Sequence, residues 1–114
     1  MKLESVDKHL KEKLKDPYFR ELYGLEEQKL DIAKRIIHYR VKHGLNQKQL
    51  AQRVGVTQQH ISKIESGDFV SMMTLEKVLL AIGYTVQMKI TQLKPSLADQ
   101  IRKVIRLRGQ IQVA

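Results

Sequence analysis

The chain contains no cysteine and no tryptophan, and its aromatic residues are four tyrosines and two phenylalanines. Without cysteine it can form neither disulfides nor thiolate metal sites, which suits a reducing compartment. The histidines, at positions 9, 38, 43 and 60, do not follow HExxH or another metal-ligand spacing. A glycine-rich phosphate loop and a nucleophile elbow are also missing. We therefore expect no catalytic residue, no metal and no cofactor, and we do not expect an enzyme.

Long apolar runs are missing as well. Val78–Ile82 is among the longest apolar stretches, far below the ~20 residues needed to span a bilayer. The first residues have no apolar core after Lys2 and do not read as a secretory signal. We therefore expect a cytoplasmic protein with no membrane partner.

What the chain has in excess is positive charge, with a formal net charge of +9 over 114 residues. Residues 1–29 carry seven basic and seven acidic side chains, whereas 30–93 carry nine against four and 94–114 carry five against one. The positive field thus belongs to the middle and the end of the chain. Such a field favours a polyanionic partner, although a basic face can also be merely solvated.

The most informative stretch runs from Leu45 to Gly67 and reads LNQKQLAQRVGVTQQHISKIESG. Its first part predicts a helix that Asn46 caps, with Gln49 reaching back in a capping box. An apolar stripe follows at Leu50, Ala51 and Val54, and Gly55 then ends the helix at a tight turn. Ala51 is small, as a close crossing of two helices requires.

The second part of the stretch predicts another short helix, which Thr57 caps. Ile61 and Ile64 are spaced to pack inward, which leaves four polar side chains facing out. These are Gln58, Gln59, Ser62 and Lys63. Two short helices joined by so tight a turn form a helix-turn-helix motif, which indicates sequence-specific binding to double-stranded DNA.

At these residues the chain resembles the Xre family, which includes the lambda-type phage repressors, over roughly residues 30–83. The run Thr57–Gln59 is similar to the start of the recognition helix in the 434-type repressors. The resemblance implies that Gln58 and Gln59 read bases and that Gln47 anchors to phosphate and braces the recognition helix. The full set of predicted DNA-binding residues is Gln47, Thr57, Gln58, Gln59, His60, Ser62 and Lys63.

The chemistry of these side chains fits that role. A glutamine amide can pair with the N7 and N6 groups of adenine, and Lys63 suits a guanine edge or a phosphate. His60 could contact either. The alternative is that these are ordinary polar surface residues. The resemblance also implies a partly buried ion pair between Arg40 and Glu65, which we interpret as structural and not catalytic.

The rest of the chain is predicted to be mostly helical. We expect a helix at about 7–15, then a short helix that begins at Pro17 and ends at Gly24, and then a longer helix at about 26–43. The longer helix is expected to bury Leu30, Ala33, Ile37 and Val41. Further helices are predicted from Ser71 or Thr74 to Gly83 and from Ser96 to Arg108.

Residues 84–91 alternate apolar and polar side chains with a period of two, which indicates a β-strand. Its apolar members are Tyr84, Val86, Met88 and Ile90. Since a lone strand has no partner in its own chain, we predict pairing with the same strand of a second molecule. The alternative is a short extended arm packed on its own domain.

The predicted fold class is therefore mainly α, a lambda-repressor-like helix-turn-helix bundle with one C-terminal dimerising β-strand. We expect four segments along the chain. They are a helical extension at 1–29, a DNA-binding domain at 30–83, a dimerisation strand at 84–92 and a basic tail at 93–114.

The chain also resembles small Xre-family antitoxins. Its strand is similar to the dimerising strand of HipB-type antitoxins, and the charged extension with its DPYFRELY cluster resembles HigA-type antitoxins. That resemblance implies a homodimer that neutralises a RelE/HigB-type toxin and represses its own operon. The predicted toxin-binding residues are Tyr18, Phe19, Leu22 and Tyr23, because aromatic side chains are favoured interface anchors. These aromatics could equally belong to the core. The alternative function is a free-standing transcriptional regulator without a toxin partner.

Overall fold

The computed structural model describes residues 2–69 and 71–113, with side chains at 6–69 and 71–109. Six α-helices make up the regular structure of the described residues. They are α1 (Lys2–Lys13), α2 (Pro17–Lys42), α3 (Gln47–Val54), α4 (Gln58–Glu65), α5 (Met72–Ala81) and α6 (Pro95–Val113). None of the described helices is both long and apolar enough to cross a membrane.

The chain divides into two compact units. A central unit is formed by Glu26–Met88, and a terminal unit by Met1–Leu25 together with Lys89–Ala114. Helix α2 contributes its first residues to the terminal unit and the rest to the central unit. The stretch from Leu45 to Gly67 lies wholly within the central unit.

A small apolar core holds the central unit together. Its fully buried side chains come from α2, α3, α4 and α5. They are Ile36, Leu50, Ile61, Leu75 and Val78. Burial of each such side chain contributes about 1.5–3 kcal/mol. Every helix of the unit supplies at least one of them, so the four helices stabilise one another. Helix α4 is fixed by the packing of its buried side in this core.

Two features of α2 differ from the sequence-based prediction. Gly24 does not end a helix, because α2 runs without a break from Pro17 to Lys42. The glycine penalty of about 1 kcal/mol in a helix is a local effect. Strong helix formers follow directly in the sequence LEEQKL. Their favourable propensity carries the helix past Gly24.

The buried face of α2 is only partly the predicted one. Ala33 is buried as predicted, but Leu30 and Val41 are 54% and 64% exposed, and Ile36 is buried instead. Arg40 lies one turn after Ile36 and forms a hydrogen bond with Glu65. The face of α2 that points towards the core is therefore the one that carries Ile36 and Arg40. The apolar stripe alone could not show this, because the ion pair fixes the rotation of the helix.

The predicted strand at 84–91 is wrong, and with it the predicted fold class. The described residues contain helices and no strand. Glu76 accepts hydrogen bonds from the Val86 amide at 3.2 Å and from the Thr85 hydroxyl at 3.1 Å. The Tyr84 amide donates to the Leu79 carbonyl at 2.8 Å. The first residues of the segment thus satisfy their backbone groups on α5, as an extended arm packed on its own unit.

Beyond Val86, the remaining apolar positions of the segment are exposed. Met88 is 76% exposed and Ile90 is fully exposed. An alternating pattern predicts a strand only if a partner supplies the ladder hydrogen bonds. Within this chain Glu76 supplies two of the acceptors instead. The fold of the described residues is therefore all-α.

The terminal unit is helical over longer ranges than predicted. Helix α1 begins at Lys2, and α6 extends to Val113, past the predicted end at Arg108. Arg108 contacts the start of α2, where it donates to Asp16 at 3.0 Å and stacks on Tyr18 at 5.2 Å from the ring centroid. One basic side chain of α6 is therefore used inside this unit.

Candidate nucleic-acid interface

Helix α3 begins and ends through local interactions. Asn46 is the N-cap and accepts a hydrogen bond from the Gln49 amide at 2.7 Å, while the Gln49 side chain accepts from the Asn46 amide at 2.9 Å. This reciprocal pair is the predicted capping box. Gly55 ends the helix with a φ of 85°, a left-handed conformation that favours glycine. The turn that follows brings the chain directly into α4.

Helix α4 is the predicted recognition helix. Thr57 is its N-cap, with its hydroxyl oxygen accepting from the His60 amide at 3.2 Å. Ile61 and Ile64 are buried in the core. At 100° per residue, Gln58, Gln59, Ser62 and Lys63 then form one continuous polar face on the opposite side. The first three of these are exposed and Lys63 is half-buried.

The Thr57 hydroxyl has a further capability. Since its oxygen accepts the capping hydrogen bond, its own proton remains available for donation to a phosphate oxygen. Thr57 is exposed at the N-terminal end of α4. Amide groups at such an end attract anions. Thr57 is therefore suited to contact a phosphate of the DNA backbone rather than to read a base.

A network of hydrogen bonds fixes the C-terminal end of α4. Arg40 binds Glu65 in a bidentate manner, with its Nε donating to Oε2 at 2.8 Å and its Nη2 donating to Oε1 at 3.0 Å. Arg40 Nη1 also donates to the carbonyl of Leu45 at 3.1 Å. Gln47 Nε2 completes the network by donating to Glu65 Oε1 at 3.2 Å.

This network is largely shielded from water. The side chain of Glu65 is 7% exposed and that of Arg40 is 19% exposed. The side-chain hydrogen bond with Glu65 raises the pKa of Arg40 above its usual value, and the coulombic attraction acts in the same direction. The guanidinium is therefore charged at any pH at which the protein is used, and the end of α4 is joined to α2 and α3.

Gln47 lies at the junction of this network and the protein surface. It is the first residue of α3, and one hydrogen of its side-chain amide goes to Glu65. The second amide hydrogen is left to donate to a phosphate oxygen. The hydrogen bond to Glu65 therefore does two things: it fixes the position of the Gln47 side chain, and it links α3 to the end of α4.

His60 lies at the edge of the polar face and not within it. Its side chain is half-buried, and its Nδ1 is buried without a hydrogen-bond partner among the described residues. It lines a small cavity together with Lys63, Ile64, Asp68, Ser71 and Thr74. Of the predicted contact residues on α4, His60 and Lys63 are thus the two that are half-buried and line this cavity, whereas Gln58 and Gln59 are exposed.

Sequence reasoning missed two parts of this arrangement. The first is the hydrogen bond from Arg40 to the Leu45 carbonyl. It could not be predicted from the residue type at position 45, because every residue supplies the same carbonyl acceptor. The second part is Glu76, which secures the segment after α5. A single glutamate on a predicted helix gives no hint of what its carboxylate accepts. Within the described residues, no group of three or more His, Cys, Asp or Glu side chains is arranged to hold a metal ion.

Comparison with known families agrees with this geometry. Residues 36–88 match the helix-turn-helix family, a range that begins at the buried Ile36 of α2 and includes α3, α4 and α5. No solved structure gave a significant match to the chain. Residues 36–88 of the central unit thus form a helix-turn-helix domain, a class of domain that binds DNA. Within that class it is of the Xre-like type found in transcriptional regulators.

Proposed function

We propose that the protein is a sequence-specific repressor that inserts α4 into the major groove of its operator. The observation that carries this proposal is the continuous polar face of α4, made of Gln58, Gln59, Ser62 and Lys63, opposite the buried Ile61 and Ile64. An α-helix fits the major groove, where each base pair presents its own pattern of donors and acceptors. The helix is held rigidly enough to read that pattern, because its inner face and its end are both fixed.

The residues of this face take different roles by their chemistry. Gln58 and Gln59 are exposed in the first turn of α4, and their amides suit adenine edges. Lys63 lies about one turn further on and suits a guanine edge or a phosphate. Thr57 and Gln47 supply phosphate contacts, which set the register of the helix without carrying sequence information.

We further propose that the protein binds as a homodimer, with two recognition helices about one helical turn, ~34 Å, apart. The support lies in the apolar side chains that the central unit leaves exposed. Met73 and Leu80, seven residues apart on the outer face of α5, are 77% and 60% exposed. Exposed apolar side chains on one helix face are typical of contact sites between proteins.

Selection of binding sites from a pool of random duplexes tests this proposal. The full-length protein should enrich one sequence with two-fold symmetry, and footprinting should show two protected half-sites about 10 base pairs apart. Sedimentation should show the dimer on that duplex. Enrichment of no sequence would contradict specific reading, and a single asymmetric half-site would contradict the dimer.

We also propose that the terminal unit docks a RelE/HigB-type toxin, which would make the protein an antitoxin. Phe19 and Tyr23 stack with ring centroids 5.8 Å apart, and the neighbouring Leu22 is 44% exposed. Phe19 also lines an open groove of about 360 Å³ with four residues of α1. These four are Val6, His9, Leu10 and Lys13.

The groove also limits the chemistry of the partner. Its apolar floor is formed by Val6, Leu10 and Phe19, whereas its ionisable lining residues, His9 and Lys13, carry no negative charge. An apolar side chain flanked by a carboxylate fits such a lining. Tyr18 differs from its neighbours, because its ring is covered by Arg108 of the same unit. We therefore assign Tyr18 to packing and the docking role to Phe19, Leu22 and Tyr23.

A charge placed at the docking residues tests this role. Leu22→Asp should abolish toxin neutralisation when the protein is co-expressed with the product of the adjacent reading frame, while operator binding and the melting temperature are retained. Leu107→Asp is the matched control, since Leu107 is an exposed leucine of α6 in the same unit. Neutralisation that survives Leu22→Asp would contradict the assigned surface.

The second candidate function is a free-standing regulator. It shares the polar face of α4, which lies in the central unit. It predicts that no neighbouring gene product co-purifies with the protein, and that repression needs no partner. Co-purification is therefore the observation that separates the two functions.

A further inference from the structure

Helix α6 has an apolar face and a basic face. Its half-buried side chains include Leu97, Ile101 and Val104, which recur at the three- and four-residue spacing of an amphipathic helix. Arg102, Lys103 and Arg106 are exposed. At 100° per residue these three lie within about 100° of one another, on the side away from the apolar face.

The charge of this face is mostly uncompensated. From Lys94 to the end, the chain carries five basic residues and one acid, Asp99. Asp99 pairs with Arg102, and both side chains are more than half exposed. Lys103 and Arg106 form no ion pair with the described side chains.

Arg108, the other basic residue of α6, is different, because it is bound to Asp16 and Tyr18 within the terminal unit. This contact helps to fix α6 to the start of α2, so Arg108 already has a partner within the terminal unit. The helix is thus held by one arginine while three other cations face outward. We call Arg102, Lys103 and Arg106 the basic face of α6.

We propose that the basic face of α6 binds the phosphate backbone of duplex DNA, as a second contact that does not depend on sequence. This inference rests on the proposed DNA-binding function and assigns to it a surface outside the helix-turn-helix domain. Arg102 and Arg106 are separated by about 6 Å along the helix axis. A duplex presents one negative charge per ~1.7 Å of its axis, so several phosphates lie within the span of the face.

The shape of the surface favours an extended polyanion over a small one. A free phosphate or a small carboxylate is held by groups that converge in a concave site. The three cations instead radiate from the outside of a helix, and neither the cavity beside His60 nor the groove beside Phe19 includes any of them. A long, regular array of charge such as a duplex matches a row of this kind. The face reads no bases, because phosphates carry no sequence information.

Charge neutralisation in the full-length protein tests the proposal. The triple variant R102Q/K103Q/R106Q is compared with the wild type on the selected operator and on a random duplex of equal length, over a range of sodium chloride concentrations. Each phosphate contact contributes about 0.9 to the slope of log affinity against log salt concentration. The variant should show a slope smaller in magnitude by about 2–3, with the same fold-loss of affinity on both duplexes.

A matched control separates a local contact from the effect of net charge. The triple variant K8Q/K11Q/K15Q removes the same charge from exposed lysines of the same unit. It should change the slope by less than about 1. Circular dichroism and thermal melting establish that both triple variants are folded, which is expected because every substituted side chain is exposed.

The remaining outcomes overturn the proposal. An unchanged slope in R102Q/K103Q/R106Q, or an equal change in both triple variants, excludes a local phosphate contact at this face. A loss confined to the operator would assign it to sequence reading. Loss of toxin binding with an unchanged slope would assign the face to an acidic protein. If the wild type binds no duplex at all, the proposed function itself fails, which is a separate result.

Discussion

At the scale of single residues, Arg40 joins three parts of the helix-turn-helix domain. Its guanidinium contacts Glu65 at the end of α4 and the carbonyl of Leu45 before α3, while Gln47 shares the same carboxylate. Arginine suits this place because its planar fork presents several donors in a fixed geometry. The polar face of α4 depends on this cluster for its orientation.

Arg40→Ala is expected to lower the free energy of unfolding by about 3 kcal/mol, since it leaves the nearly buried Glu65 carboxylate without its counter-charge. Arg40→Lys should recover only part of this, because an ammonium cannot make the bidentate contact. Urea denaturation measures both. Arg35→Ala is the control, because its pair with Asp31 is exposed to water and should therefore have a much smaller effect on the free energy of unfolding. Equal effects at the two arginines would place the Arg40 pair among ordinary surface pairs.

At the scale of secondary-structure elements, the region predicted best is the one whose signals are local. The caps Asn46 and Thr57, the Gly55 turn and the inward Ile61 and Ile64 follow from neighbouring residues, and the structure confirms each of them. Such features depend on contacts within one or two turns. They can therefore be read from the sequence without knowing the rest of the fold.

Elements that depend on distant contacts were predicted poorly. The rotation of α2 is set by the bond of Arg40 with Glu65, which is 25 residues away. The extended segment after Gly83 is set by Glu76 on the preceding helix. Neither partner is marked by a local pattern, so the periodic stripe of α2 was only partly right and the alternating run indicated the wrong structure. The pair of Arg40 with Glu65 was expected only from the resemblance to the phage repressors. The base-reading roles of Gln58 and Gln59 are not tested by the fold and stay predictions.

The segment after α5 provides a prediction at this scale. Glu76→Ala should release the Val86 amide and the Thr85 hydroxyl, because both donate to the Glu76 carboxylate. Hydrogen exchange at Val86 should become faster, and the free energy of unfolding should fall by about 1–2 kcal/mol. Lys77→Ala, at an exposed neighbouring position, should change neither quantity. Unchanged exchange in Glu76→Ala would show that the carboxylate does not hold this segment.

At the scale of the whole molecule, the positive charge is distributed in a way that fits a DNA-binding protein. Residues 30–93, which carry nine basic and four acidic side chains, include the helix-turn-helix domain. Residues 94–114, which carry five basic side chains and one acidic side chain, include α6. The balanced segment 1–29 contains the proposed docking residues. Base reading is thus assigned to α4, the additional phosphate contact to α6 and partner docking to the terminal unit, so variants at each surface can separate the three roles.

The most direct measurement is the affinity of three glutamine variants for the selected operator and for a random duplex, determined by fluorescence anisotropy at one salt concentration. Gln58→Ala and Gln59→Ala should each lower operator affinity by roughly 1–3 kcal/mol and leave affinity for the random duplex unchanged. Gln52→Ala, an exposed glutamine of α3, is the control and should behave as wild type. If Gln58→Ala and Gln59→Ala weakened both duplexes equally, or neither, α4 would not be the element that reads the sequence.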